Sequence, residues 1–186
     1  MPILVRPVRE QLEHDRVIRH LQAKLKRKYD VVTNIGEERN AAVKAGPLQI
    51  YPDLVLHSTE RGRRVQGVIE VETGESVNHL EALAQWVHLG RARVPFHLYV
   101  PAGAVDIARR LCADNGVSVS EIWSFHAIGD QMRFTLVHRS APSAPARPRA
   151  AAKPAAPRRK PAGRSERRAA AGTRKPARAT RAQKRK

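Results

Sequence analysis

The chain has 186 residues, with 35 Lys and Arg against 17 Asp and Glu and a formal net charge of +18. Residues 1–140 carry 19 basic against 16 acidic side chains, while residues 141–186 carry 16 against one, Glu166. A single cysteine, Cys112, excludes an internal disulfide framework and agrees with a reducing cytosol. No apolar run approaches the length of a membrane span, and the opening MPILVR is too short for a signal peptide. The expectation is a soluble, cytoplasmic protein with no membrane partner. It has one domain over residues 1–140, large enough for a core, and a separate basic tail over residues 141–186.

In chain order, residues 8–28 read as a charged helix with Val17, Ile18, Leu21 and Leu25 on one side. Glu10 stands at helical spacing with His14, Val17 and Leu21 and should face inward, with Glu13 at the edge of that stripe. Tyr29–Ile35, rich in β-branched residues, reads as a strand, followed by a polar connection, GEERNAAVKAGP. Two apolar runs, Leu54–Leu56 and Val65–Val71, then flank the turn-rich Ser58–Arg64 and read as an antiparallel hairpin. With Arg61-Gly62 as a two-residue loop, paired positions sum to 123 and Asp53 lies opposite Glu70. A four-residue loop would set Asp53 against Glu72 instead. Either way Asp53, Glu70 and Glu72 share one face, because side chains alternate along a strand.

Ser76 is placed to cap a second helix over about 77–91, with Leu80, Leu83, Ala84 and Val87 expected to face the core and Glu81, Gln85 and His88 on another side. Phe96–Val100, between two prolines, has the continuous apolar character of a buried strand. A third helix over about 103–114 stops at Asn115-Gly116. Val117–Phe125 and Met132–His138 complete the domain as strands joined at Gly129-Asp130. A strand-helix-strand crossover after the hairpin should put Phe96–Val100 parallel to Val65–Val71.

Like charges set opposite each other on a sheet destabilise it unless they are neutralised. A hard divalent cation is one solution, since Mg²⁺ commonly takes one or two carboxylates plus substrate phosphate; an ordinary solvated face is the other. Pro52-Asp53, a short strand, a hairpin and Glu70-Val71-Glu72, set in the order helix, three strands, helix, strand, resemble the PD-(D/E)XK nuclease superfamily. That resemblance implies an α/β fold of restriction-endonuclease type, with a mixed sheet, an αβββαβ core, and here an added helix and strands. It also implies that Asp53 and Glu70 hold Mg²⁺ or Mn²⁺. The family usually has Lys where this chain has Glu72, so Glu72 is expected as a third ligand or water-orienting group. Lys44, Arg63 and Arg64 are the other conceivable substitutes. Family members often add a Glu from the first helix, for which Glu10 and Glu13 are the candidates, and some place a Gln near Gln85.

The eight histidines show no metal-ligand spacing, and no Walker loop, dinucleotide fingerprint or His-Glu-x-x-His motif is present. Trp86 and Trp123 read as core or interface residues, and Cys112 as inert packing.

Residues 141–186 contain no Val, Ile, Leu, Met, Phe, Trp or Tyr. A segment with nothing to bury cannot offset the entropy of ordering and is expected to be disordered. It resembles the Lys/Arg-Ala-Pro tails of linker histones and histone-like bacterial proteins. Its denser basic positions, Arg158, Arg159, Lys160, Arg164, Arg167, Arg168, Arg174 and Lys175, are suited to neutralising phosphates. The combined expectation is a Mg²⁺-dependent DNA endonuclease, nucleoid-associated and held on DNA by its tail. A non-catalytic DNA-binding protein on the same fold is the alternative. RNA stays open as a partner, as does a homodimer of the kind many such nucleases form to cut two strands.

Overall fold

The structure is a computed structural model and describes residues 7–141. These lie in a unit that spans Met1–Ala146. The expected nucleic-acid contacts from Arg158 to Lys175 lie outside the described residues.

Helix α1 (Val8–Leu25) buries Glu10, His14, Val17, Ile18 and Leu21, the stripe that a period of 3.6 residues requires. The chain then enters β1 (Asp30–Thr33), crosses a short hairpin of β2 (Val43–Ala45) and β3 (Leu48–Ile50), and forms β4 (Leu54–His57) and β5 (Val65–Val71). A helical crossover follows: α2 (His79–Glu81), a π-helical turn (Ala82–Trp86) and α3 (Val87–Leu89). Strand β6 (Phe96–Pro101), helix α4 (Val105–Asp114), β7 (Glu121–Ile128) and β8 (Gln131–Arg139) complete the unit.

Six strands form one mixed sheet in the order β1-β4-β5-β6-β7-β8. Strands β5, β6 and β7 run parallel and the remaining pairs are antiparallel. The expected crossover therefore holds, with Glu70 beside Leu98 in a parallel ladder. One face packs Leu54, Leu56, Ile69, Val71 and Tyr99 against Val17, Ile18 and Leu21 of α1. The other packs Val55, Val68, Leu98, Val100 and Ile122 against Trp86, Leu89, Ala108 and Cys112. Each large apolar side chain so buried contributes roughly 1.5–3 kcal/mol. No helix among the described residues is long and apolar enough to cross a membrane.

The expected register is present where it matters, since Leu54 pairs with Ile69 and Val55 with Val68, positions that sum to 123. The two-residue loop is not. A bulge after Leu56 shifts His57 onto Val65, and the tip is closed by Ser58 N–H donating to the Arg64 carbonyl at 2.8 Å. The supposed polar connection also contains β2 and β3, whose buried Val43 and Ala45 alternate with exposed Lys44 in a pattern only three residues long.

The crossover helix departs most from expectation. Asn78, not Ser76, caps it, accepting a hydrogen bond from Glu81 N–H at 3.1 Å, while Ser76 Oγ accepts from Thr73 N–H. Leu80 and Leu83 are 63% and 47% exposed, and Ala82, Trp86 and Leu89 are buried in their place. The π turn inserts one residue into the helical repeat and rotates the inner face. Trp86 has more apolar surface to bury than either leucine, and it takes the core position.

Gly90 ends this crossover in right-handed helical geometry, so its backbone needs no glycine. Its role is close approach: a Cβ there would stand 2.9 Å from the backbone nitrogen of Ser118. Gly90→Ala should therefore destabilise the protein by about 1–3 kcal/mol, read as a lowered urea midpoint at unchanged slope.

Candidate functional site

The end of the sheet at which β5 finishes collects polar side chains that most proteins keep in water. Asp53, Glu70 and Glu72 are 8%, 3% and 0% exposed, and Glu10 and His14 of α1 are buried beside them. Asp53 sits one residue ahead of β4. Its backbone is held by Asn34, whose N–H donates to the Asp53 carbonyl at 2.9 Å and whose side-chain amide donates to the Pro52 carbonyl at 2.6 Å. Asn34 is itself fixed, because its Oδ1 accepts from Ala41 N–H at 2.9 Å.

The Asp53 carboxylate accepts from Val71 N–H at 2.8 Å through Oδ2, and the same oxygen lies 3.1 Å from His14 Nε2. Glu70 Oε2 accepts from Asp53 N–H at 3.3 Å, which sets the two carboxylates across from each other as the register requires. The other nitrogen of His14 lies 3.4 Å from Asp15 Oδ1, so the ring is oriented between two carboxylates. Glu10 accepts a hydrogen bond from the Thr73 hydroxyl and thereby ties α1 to the end of β5.

Glu72 behaves differently. Its Oε1 accepts from the Trp86 indole N–H at 2.7 Å, inside the core beneath the crossover helix. Shared strand parity with Glu70 does place it on the same face, but it is fully covered. It was expected as a third ligand or water-orienting group, and the described contact engages its Oε1 with Trp86.

The accessory candidates separate clearly. Glu10 joins the cluster and Glu13 is exposed, because only the former is on the buried stripe of α1. Lys44 is exposed on β2 opposite Gln49, and Gln85 is half-buried within the π turn. The described hydrogen bonds and ion pairs of the carboxylates include neither of them. Arg63 pairs with Asp30 at 2.6 Å near the hairpin tip, at the far end of β4 from Asp53. His14 was missed as a site residue. Its signal was present, four residues after Glu10 on the buried stripe, but a histidine on such a stripe is ordinarily a satisfied core residue.

A second polar cluster occupies the opposite end of the sheet, where β6 and β7 begin. Glu121 Oε2 accepts from the Trp123 indole N–H at 2.8 Å and lies 3.1 Å from His97 Nδ1, while Glu121 Oε1 accepts from Arg139 Nε–H at 2.8 Å. Burial alone would raise the Glu121 carboxyl, but hydrogen bonds from Trp123 and Arg139, with the charges of His97 and Arg139, bring it below the ordinary range. Burial lowers His97 below its ordinary 6.5, against the raising influence of Glu121. Burial also pushes the Cys112 thiol up to about 11, which fits inert packing.

Two predictions follow from these contacts. Trp86→Phe removes the indole N–H from Glu72 and should cost about 2–4 kcal/mol by urea denaturation. The second concerns acid. A histidine that binds its proton less tightly folded than unfolded leaves stability intact above 6.5 and lowers it as pH falls through that value. Glu121, with its depressed carboxyl, adds a further loss at lower pH. His97→Gln should accordingly flatten the fall in urea midpoint between about pH 6.5 and pH 5. An unchanged profile would mean that His97 is not the group responsible.

The chain matches no family model, no curated protein and no solved structure, so its site is read from its own residues.

Proposed function

We propose that the described unit is a metal-dependent nuclease of the restriction-endonuclease-like kind, acting on DNA, with residues 141–186 adding sequence-independent affinity. The observation that carries this reading is Asp53 set against Glu70 across β4 and β5, both buried, where the hairpin gives way to the crossover into parallel β6. The element order from α1 to β6, with the short β2-β3 hairpin as an insertion, supports it.

The donor set fits a hard cation. Asp53 and Glu70 offer only oxygen, and the described hydrogen bonds to the Asp53 carboxylate all fall on Oδ2. Among the described residues, no group of three or more His, Cys, Asp and Glu is gathered to hold an ion alone. Mg²⁺ or Mn²⁺ would thus complete its shell with water and substrate phosphate, which is its common habit. A bound ion would supply Lewis acidity toward a phosphate oxygen and a hydroxide nucleophile. The protein's own share is positioning. Asp53 is oriented by Val71 N–H and His14, Glu70 by the Asp53 backbone, and Glu10 holds Thr73 so that β5 ends in place.

Glu72 favours a second reading, a DNA-binding protein that does not cleave. The motif position that usually carries Lys is filled by a carboxylate buried against Trp86.

One set of measurements decides between them. Mg²⁺ or Mn²⁺ at a hundred times its dissociation constant should stabilise the protein by about 2.7 kcal/mol. Asp53→Asn and Glu70→Gln should each abolish that shift. In a time course on supercoiled, linear, branched and single-stranded DNA, cleavage should stop with chelator and fall at least about a hundredfold in Asp53→Ala. Glu72→Lys should not rescue activity, because an amine beneath Trp86 is an uncompensated buried charge costing about 3–5 kcal/mol. Absence of divalent binding even with DNA present would defeat the nuclease reading. Ion binding without cleavage of any substrate would select the second.

A further inference from the structure

The basic end of the sheet has its own concavity. An open groove of about 1360 Å³ wraps around the start of β6 and β7, with Tyr29, Arg93, Val94, His97, Arg109 and Val119 among its lining residues. Clefts for drug-sized ligands run to about 1,000 Å³, so this one has room for an oligomer rather than a single small molecule. Its one carboxylate, Glu121, is already engaged by Arg139, Trp123 and His97. Arg93 and Arg109 are exposed and have no hydrogen bond or ion pair among the described residues.

We infer that this groove is a second ligand site, one that takes a short run of single-stranded nucleic acid, with Arg93 and Arg109 on its phosphates. Several features on this end of the molecule favour that ligand. Guanidinium forks suit phosphate oxygens. Tyr29, half-buried in the lining, offers an aromatic face on which an unpaired base can stack. Glu121 is an acceptor and so draws the ring proton of His97 to Nδ1, leaving Nε2 as an acceptor for base N–H groups. Gly67 keeps that edge clear, since a Cβ there would stand 3.2 Å from His97 Nε2. Ser140 and Ala141 line the groove as well, and its charged side chains include Arg93, Arg109 and Arg139 against Glu121 as the one carboxylate. A polyanion is the ligand such a composition selects. The groove lies at the other end of β5 and β6 from Asp53 and Glu70, so this inference holds whether or not those carboxylates bind an ion.

The two tryptophans give a readout that separates the groove from the basic tail in the full-length protein. The Trp123 indole N–H donates to Glu121 beside the groove, and the Trp86 indole N–H donates to Glu72 at the opposite end. Titrating ¹⁵N-labelled protein with a short single-stranded oligonucleotide of mixed sequence should shift the Trp123 indole resonance saturably and leave that of Trp86 in place. The double variant Arg93→Gln, Arg109→Gln changes only exposed side chains. It should weaken the affinity read at Trp123 and reduce the logarithmic salt slope by about 1.4, at 0.7 per phosphate contact on a single strand. Oligonucleotide binding that leaves the Trp123 resonance unmoved would overturn the inference. So would equal affinity and salt slope at that resonance in wild type and the double variant, or an equal response to a short poly-glutamate peptide or to duplex of the same length. Asp53→Asn should leave the Trp123 titration unchanged, so loss of the carboxylate site and loss of the groove are told apart.

Discussion

The antiparallel register that sets Leu54 against Ile69 and Val55 against Val68 decides which side chains of this unit meet α1 and which meet the crossover helix. Sliding β4 by one residue would turn Leu54 and Leu56 away from α1 and part Asp53 from Glu70. The core therefore protects the polar pair indirectly. Leucine and valine burial on both faces makes the slip costly, and the carboxylates stay together although their mutual repulsion favours separation. The bulge after Leu56 absorbs the irregular tip of the hairpin at the far end, where no such constraint acts.

A second dependency runs from that strand to the helix above it. Alternation carries Glu72 to the same face as Glu70, and that face is covered by the crossover. A buried carboxylate needs donors, and the Trp86 indole provides one at 2.7 Å. The π turn over Ala82–Trp86 brings the tryptophan into that position and turns Leu80 and Leu83 outward. Apolar surface on two leucines is thus left in water while a tryptophan and a glutamate are satisfied together. Asn78 begins the helix late for the same reason, because Ser76 is committed to Thr73.

Much of this was legible in the sequence, and the reasons differ by element. The stripe of α1, the strand between Pro95 and Pro101 and the last hairpin show because long periodic patterns and prolines leave few alternatives. The Asp53–Glu70 pairing was legible because Val65–Val71 and Leu54–Leu56 admit few registers. The β2-β3 hairpin was not, since three-residue strands in a polar stretch carry little periodic signal. The inner face of the crossover helix was misread because counting leucines assumes 3.6 residues per turn, and one π turn breaks that count. The hydrogen bonds from Trp86 to Glu72 and from Asn34 to Pro52 are invisible in principle, being fixed by tertiary contact alone.

The two ends of the sheet differ in electrostatic character, and the difference orders events for any nucleic-acid ligand. Asp53, Glu70, Glu72 and Glu10 make one end a poor host for phosphate by themselves, since like charges repel most strongly where water is excluded. Arg93, Arg109 and Arg139 line the groove at the other end, where Glu121 is the one carboxylate of the lining. A strand drawn by the summed field of the described residues would arrive at the basic groove first. It would meet the carboxylates only when a divalent ion reversed the local sign. On the proposed function the ion is then more than a chemical participant. It is the condition for substrate to approach Asp53 and Glu70 at all, so DNA and cation should bind that end with positive coupling, each raising the other's affinity by the same factor.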